Sequence, residues 1–239
     1  MKLLIISDIH LKPKLFEKAD KILSSGQADT AIQMGDLTDD WGEGYNIGLY
    51  ERTLRRAIKF KEDHPDSLWL AGNHDIGYLY SEYGPKESGH SKMAEPFVKP
   101  LLEQLSQKIM YIVDGCIFTH AGLTNEWLDR QKLLVGYNMN DYGPLEEPDL
   151  EKLVNYAPVD ELWQENSPIW ARPQIDEYVM CPAKLQVVGH TPVKAANDTN
   201  NVLSTDTHST YRNGAPYGDC GFVIVDTMTG DWKDVKEVE

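Results

Sequence analysis

The chain has 239 residues, of which 41% are hydrophobic, 10% aromatic and 26% charged, an ordinary globular balance that excludes collagen, coiled coil or disorder as the main state. Asp plus Glu is 38 against 23 for Lys plus Arg, a net charge of −15, which disfavours attachment to a nucleic-acid backbone or an anionic membrane. Cys116, Cys181 and Cys220 form no C-x-x-C pair and fit reduced thiols, and without a signal peptide or an apolar run near the roughly 18 residues a bilayer needs, a cytoplasmic protein is expected.

Lys2 to Ser7 is an apolar run typical of a buried strand. Leu15, Phe16, Ala19, Ile22 and Leu23 recur at helical spacing, and Gly26 closes that helix. Asp29 to Met34 is a second strand. Ile47, Tyr50, Leu54, Ala57 and Ile58 mark one face of a longer helix, and Ser67 to Ala71 is a third strand. This β-α-β-α-β order implies parallel strands with right-handed crossovers.

Phe97, Val98, Leu101, Leu102 and Leu105 predict a helix kinked or restarted at Pro100. Ile109 to Val113 and Gly115 to Thr119 are expected to pair as a hairpin turning at Asp114-Gly115. Thr124 to Val135 reads as a helix capped by Thr124. Residues 136–181 are rich in Pro, Asn, Asp, Glu and aromatics, with short helices at most, and form either an irregular insertion near the site or a packed surface excursion. In the last third a β meander is predicted from Leu185 to Val188, Val193 to Ala196, Val202 to Thr205, Phe222 to Asp226 and Asp231 to Val235. Without repeats, low-complexity tracts or flexible linkers, residues 1–239 are expected to be one α/β domain with two sheets.

Five short motifs follow predicted strands: Asp8-Ile9-His10, Gly35-Asp36-Leu37-Thr38-Asp39, Gly72-Asn73-His74-Asp75, Thr119-His120-Ala121-Gly122 and Gly189-His190-Thr191-Pro192. The carboxyl edge of an open α/β sheet is where ligand sites form. Two Asp, three His and one Asn among them make a mixed oxygen and nitrogen donor set without thiolates, suited to Mn, Fe, Zn or Co. Six donors exceed what one catalytic ion with an open position uses, and are enough for two ions sharing a carboxylate. Each motif alone is weak. The five in this order, holding four of the seven histidines, are not.

The order D-x-H, G-D-x-x-D, G-N-H-D, H-A-G, G-H-T resembles the calcineurin-like metallophosphoesterase superfamily. Phe118-Thr119-His120-Ala121-Gly122-Leu123 and Val188-Gly189-His190-Thr191-Pro192 are similar to the phosphoprotein-phosphatase branch, which includes bacterial and phage phosphatases and diadenosine tetraphosphate hydrolases. The resemblance implies an α-β-β-α sandwich of two mixed sheets flanked by helices. It implies two divalent metal ions, manganese first and Fe, Zn, Co or Ni as alternatives. Asp8 and His10 would bind one ion, Asp36 would bridge, and Asn73, His120 and His190 would complete the other. A metal-bridging hydroxide would attack phosphorus in line. His74 would be the general acid and Asp39 would orient it, a dyad that also makes chemical sense by itself.

Two departures bear on substrate. Pro192 stands where many superfamily members carry a second His, and Asp40 and Ala71 stand where eukaryotic phosphoprotein phosphatases carry phosphate-gripping arginines. Arg172, in Trp170-Ala171-Arg172-Pro173, is the candidate substitute for binding phosphate, with Arg212 second. His208 reads as a solvated loop residue, and His64 and His90 as surface residues. Trp163, Trp170, Tyr137, Tyr142 and Tyr156 crowd residues 136–181, where packing is favoured over stacking of a nucleobase. The expected partner is a phosphorylated protein or small molecule, with no membrane or nucleic-acid polymer. A phosphomonoesterase leads, a dinucleoside polyphosphate hydrolase is the alternative, and a non-catalytic metal-binding scaffold is the reading from another class.

Overall fold

The computed structural model describes residues 1–82, 90–137 and 145–235. Its strands form two five-stranded mixed sheets. The first contains β1 (Lys2–Ile6), β2 (Thr30–Gln33), β3 (Leu68–Trp69), β9 (Phe222–Asp226) and β10 (Trp232–Val235), in the order β10-β9-β1-β2-β3. The second contains β4 (Met110–Val113), β5 (Cys116–Thr119), β6 (Leu185–Val188), β7 (Asn197–Thr199) and β8 (Val202–Ser204), in the order β4-β5-β6-β8-β7. β1, β2 and β3 run parallel, as do β5, β6 and β8.

Side-chain alternation decides how the layers stack. Leu3 and Ile5 of β1 and Val223 and Val225 of β9 share one buried cluster with Phe118, Val187 and Leu203 of the other sheet. The sheets therefore pack face to face. Leu4 and Ile6 point the other way, into a cluster with Phe16, Ala19 and Ile22 of α1 (Lys14–Ser24), Tyr50, Leu54 and Phe60 of α2 (Ile47–Asp63), and Val98 and Leu102 of α4 (Glu95–Leu102). Across the second sheet, Met110 and Ile117 meet Ile76 of α3 (Asn73–Leu79), Trp127 of α5 (Asn125–Leu134), Val154 of α6 (Glu147–Asn155) and Leu162 of α7 (Val159–Leu162). Helix, sheet, sheet, helix is the layering expected. A strand apolar on both faces, such as β1, is stable only between two such layers.

Local chemistry sets several boundaries. Thr124 caps α5 by accepting from the Trp127 amide at 3.3 Å. Asp114 and Gly115 both take positive φ, the geometry that joins β4 to β5 in a tight hairpin. α4 runs through Pro100 and tightens into a 3₁₀ turn over Glu103–Leu105, rather than restarting at the proline.

The meander expected in the last third does not form. Phe222–Asp226 leaves the second sheet and pairs antiparallel with β1 in the first, Leu3 opposite Val225, with β10 beyond it. The reason is again two-sided burial, since Phe222 and Ile224 face the helices while Val223 and Val225 face the other sheet. Val193 to Ala196 is not a strand either. Asn200 and Asn201, at φ 53° and 62°, make the turn that pairs Thr199 with Val202, which moves the strand to residues 197–199.

Candidate metal centre and cleft

Five of the parallel strand ends converge on one edge of the sandwich. Asp8 and His10 follow β1, Asp36 and Asp39 follow β2, Asn73 and His74 open α3 after β3, His120 follows β5 and His190 follows β6. His10, Asp36, Asp39 and His190 hold φ of 43°, 54°, 56° and 62°, left-handed backbone that L-residues adopt only where surroundings enforce it.

Donor atoms of His10, Asp36 and His74 lie within 4.8 Å of one another, and so do those of Asp36, His120 and His190. Asp36 belongs to both groups. Its Oδ2 stands 3.7 Å from His10 Nε2 and 3.4 Å from His120 Nε2, and its Oδ1 accepts from the His74 amide at 3.0 Å. Asn73 Oδ1 is 3.0 Å from His120 Nε2. Asp8, fully buried, accepts from Ser7 Oγ at 2.6 Å and from the His190 amide at 3.0 Å.

Backbone carbonyls aim the rings. His120 Nδ1 lies 2.8 Å from Met34 O and His10 Nδ1 lies 2.8 Å from Asp39 O. Carbonyls can only accept, so both Nδ1 atoms carry the proton and both Nε2 atoms are turned toward Asp36. Glycines permit the approach. A methyl on Gly72 would collide with Asp36 Oδ1, and one on Gly189 would collide with Asp8 Oδ2.

Charge is strained in this pocket. Burial, reinforced by the Asp36 charge, pushes the Asp8 carboxyl up to about 6. Burial opposes ionisation of Asp36 too, but the His120 and His74 rings outweigh it and hold that carboxyl well below the usual range. His120 is buried yet pushed up to about 9, because Asp36 and then Asp8 face it. Burial, with the His120 and Arg172 charges, holds His190 well below the usual imidazole range. His190 is therefore neutral, and its buried Nε2 has no hydrogen-bond partner. An orphaned imidazole nitrogen beside two buried carboxylates is a donor set that fits divalent metal ions.

Asp39 and His74 form the second part of the site. His74 Nδ1 is 3.0 Å from Asp39 Oδ2, and His74 borders a cleft of about 200 Å³ that also receives His10, Asp36, Asn73, His190 and Arg172. Arg172 comes from the irregular stretch after α7, and its Nη1 donates to Thr191 Oγ1 at 3.2 Å. Trp170 meets the His190 ring edge-on at 5.6 Å. Arg212 does not line this cleft; its guanidinium lies 5.0 Å above the ring of Trp41, which does. A larger cavity of about 510 Å³ between α3 and α6 shares no residue with it.

The family model for calcineurin-like phosphoesterases matches residues 1–194, which hold every motif above. The chain belongs to the calcineurin-like phosphoesterase family. A calcineurin-like phosphoesterase is a hydrolase that works with divalent metal ions, and the His and Asp groups around Asp36 are this chain's candidates to hold them. The chain is also 27% identical over 114 residues to the mitochondrial lipoyl synthase of Schistosoma mansoni, a match that spans 38% of this chain and 28% of that protein. Among solved structures, a hypothetical protein PH1004 from Pyrococcus horikoshii OT3 is similar over 98% of this chain and 86% of its own, at 11% identity and TM-score 0.48. The phosphoesterase Yfce from E. coli is similar over 95% of this chain and 88% of its own, at 15% identity and TM-score 0.41. These likenesses are remote, and membership rests on the family match. No helix among the described residues is long and apolar enough to cross a membrane.

Three expectations for residues outside the motifs are corrected. His208 is not solvated: it is buried against Phe222, ring centroids 5.0 Å apart. The His90 side chain is only 2% exposed, stacked on Tyr78 at 4.2 Å, and His64 is half-buried against Phe60. Of the aromatics, Trp163 and Trp170 pack with the α5–α7 cluster, Tyr156 is exposed, and Tyr142 lies outside the described residues. Sequence reasoning also missed Asp75. Its Oδ1 accepts from the Leu37 amide and its Oδ2 from Gly72 N and Gln107 Nε2, tying the loops after β2 and β3 together. Its place in Gly72-Asn73-His74-Asp75, three residues into a helix that opens on glycine, was the signal for that capping role.

Proposed function

We propose that this phosphoesterase hydrolyses phosphomonoesters, of a protein or a small molecule, with two divalent metal ions. Asp36 carries the reading, because one carboxylate stands in two donor groups at once. Asp8 and His10 would complete one site with it, and Asn73, His120 and His190 the other. The mixed donor set suits Mn, Fe, Zn, Co or Ni, and manganese is put first because of the family resemblance. When bound, two such ions supply positive charge against the phosphate and a water-derived nucleophile at neutral pH.

The chain's own residues account for the rest. Arg172 offers the cleft a guanidinium for two phosphate oxygens, held in place by Thr191. His74 donates its Nε2 proton to the ester oxygen as the P–O bond breaks, while Asp39 keeps Nδ1 protonated and stabilises the ring's charge. Trp170 and Pro192 line the cleft beside Arg172 and His190. A volume of about 200 Å³ suits a phosphate with a small ester group better than the larger ligands that fill pockets of roughly 300–1,000 Å³.

A dinucleoside polyphosphate is the second reading. Trp41, 41% exposed at the cleft and covered by Arg212, is a platform on which a base could stack. Metal-depleted protein resupplied with Mn²⁺ decides between them, assayed on phenyl phosphate, whose leaving oxygen needs a proton, and on diadenosine tetraphosphate, with His74→Asn as the blank. Turnover of the monoester that needs both Mn²⁺ and His74 supports the first reading. Turnover of the dinucleotide alone moves the function to the second. Metal binding without turnover of either leaves the scaffold.

A further inference from the structure

We propose that Tyr50 and Tyr78 are positioning residues for the leaving-group acid: they grip one oxygen of Asp39 so that its other oxygen holds His74 in the proton-donating orientation. The inference rests on His74 being the acid. Tyr50 Oη, from α2, donates to Asp39 Oδ1 at 2.7 Å, and Tyr78 Oη, from α3, donates to the same oxygen at 2.5 Å. Oδ2 is left to His74 Nδ1 at 3.0 Å.

Packing alone does not require these hydroxyls, because phenylalanine would fill either place. Both rings are fully buried, and a buried hydroxyl is costly unless it is paired. Two of them spend their hydrogens on one carboxylate oxygen. The Tyr78 hydrogen is directed there by the Ser91 amide, which donates to Tyr78 Oη at 2.8 Å and occupies its lone pair. The His90 ring lies flat against the tyrosine at 4.2 Å and fixes its plane. His74 and Tyr78 are four residues apart on α3, so one helical face supplies a partner to each oxygen of Asp39. Turning the carboxylate about its Cβ–Cγ bond would break all three contacts. The plane of Asp39 is thus locked from α2 and α3, and with it the tautomer and direction of His74.

General-acid help matters most where the departing oxygen is basic. Phenyl phosphate needs its leaving group protonated, whereas p-nitrophenyl phosphate releases a stable phenolate without it. The test compares kcat for the two esters in Mn²⁺-loaded wild type, Tyr50→Phe, Tyr78→Phe, the double variant and His74→Asn. The ratio of phenyl to p-nitrophenyl turnover is expected to fall about tenfold in each single variant and further in the double, of the order a charge-assisted hydrogen bond is worth. Metal stoichiometry should stay that of wild type. A double variant with the wild-type ratio, while His74→Asn lowers it, overturns the positioning role and leaves the acid intact. A wild-type ratio in His74→Asn overturns the acid reading and the positioning role with it. Should the double variant not fold, the Nδ1 proton resonance of His74 in Zn²⁺-loaded single variants carries the same test: an upfield shift supports the grip, and an unmoved line overturns it.

Discussion

Gly189 lies so close to Asp8 that a single methyl on its α-carbon would collide with the Asp8 Oδ2 atom, while the next amide, that of His190, donates to Asp8 Oδ1 at 3.0 Å. One candidate ligand thus steers another across 182 residues of sequence. Gly189→Ala should displace the Asp8 carboxylate and weaken Mn²⁺ binding by about 10–100-fold, the usual consequence of disturbing a ligand's support. Calorimetric titration with Mn²⁺ checks this, and unchanged affinity would remove Asp8 from the ligand set.

Asp36→Asn should affect both ions together. The amide keeps the size of the carboxylate but loses the charge that faces His10 and His120. Equilibrium dialysis should show both Mn²⁺ equivalents weakened, whereas loss of one alone would mean that Asp36 serves a single ion.

Arg172→Ala should raise KM for phosphomonoesters, and the inhibition constant of inorganic phosphate, by about 10–100-fold, with kcat falling less. That is the range for removing a charged hydrogen-bond donor from an anion. Thr191→Val, which removes only the Arg172 tether, should give a smaller change in the same direction. Equal KM in wild type and Arg172→Ala would place the phosphate elsewhere in the cleft.

His208 makes stability depend on pH. Burial holds its imidazole down to about 4, from an ordinary value of 6.5. Between those values the unfolded chain takes up a proton that the folded chain refuses, so the contribution is complete above 6.5 and lost as pH falls towards 4. Fully expressed, the loss is about 3 kcal/mol. Asp206, pushed up to about 7 by burial, tilts stability the opposite way, so the wild-type profile hides the effect. The difference between His208→Leu and wild type exposes it. Urea unfolding should show the variant gaining on wild type as pH is lowered from 7 to 4.5, and parallel profiles would refute the assignment.

The candidate metal centre was legible because its candidate donors cluster in short glycine-bearing motifs just past apolar runs, where a strand end leaves side chains facing a crevice. The first three strands and two helices were legible for a related reason, since each buries a periodic face. What stayed hidden depends on partners distant in sequence. Nothing in Phe222-Val223-Ile224-Val225 names the sheet it joins; β1 does, through the register of Leu3 with Val225. Thr205 to Ser209 reads as a polar loop but is buried throughout, and its hydroxyls and Asp206, though not the His208 ring, find partners in one another and the backbone. Thr205 Oγ1 donates to Val188 O, Thr207 Oγ1 to Gly221 O, and Ser209 Oγ to Asp206. Tyr50 was visible only as an apolar-face residue and Tyr78 was not singled out at all, since the aim of a hydroxyl is a tertiary property.

The candidate donors come from both sheets: Asp8, His10, Asp36 and Asn73 from the ends of the first, His120 and His190 from the ends of the second. Neither half of the sandwich carries the full set. During synthesis, a chain leaving the ribosome presents the first sheet's donors long before residue 190 emerges, and β9, which completes that sheet beside β1, comes later still. The complete candidate donor set therefore exists only after residue 190 has been made and the two sheets have packed together.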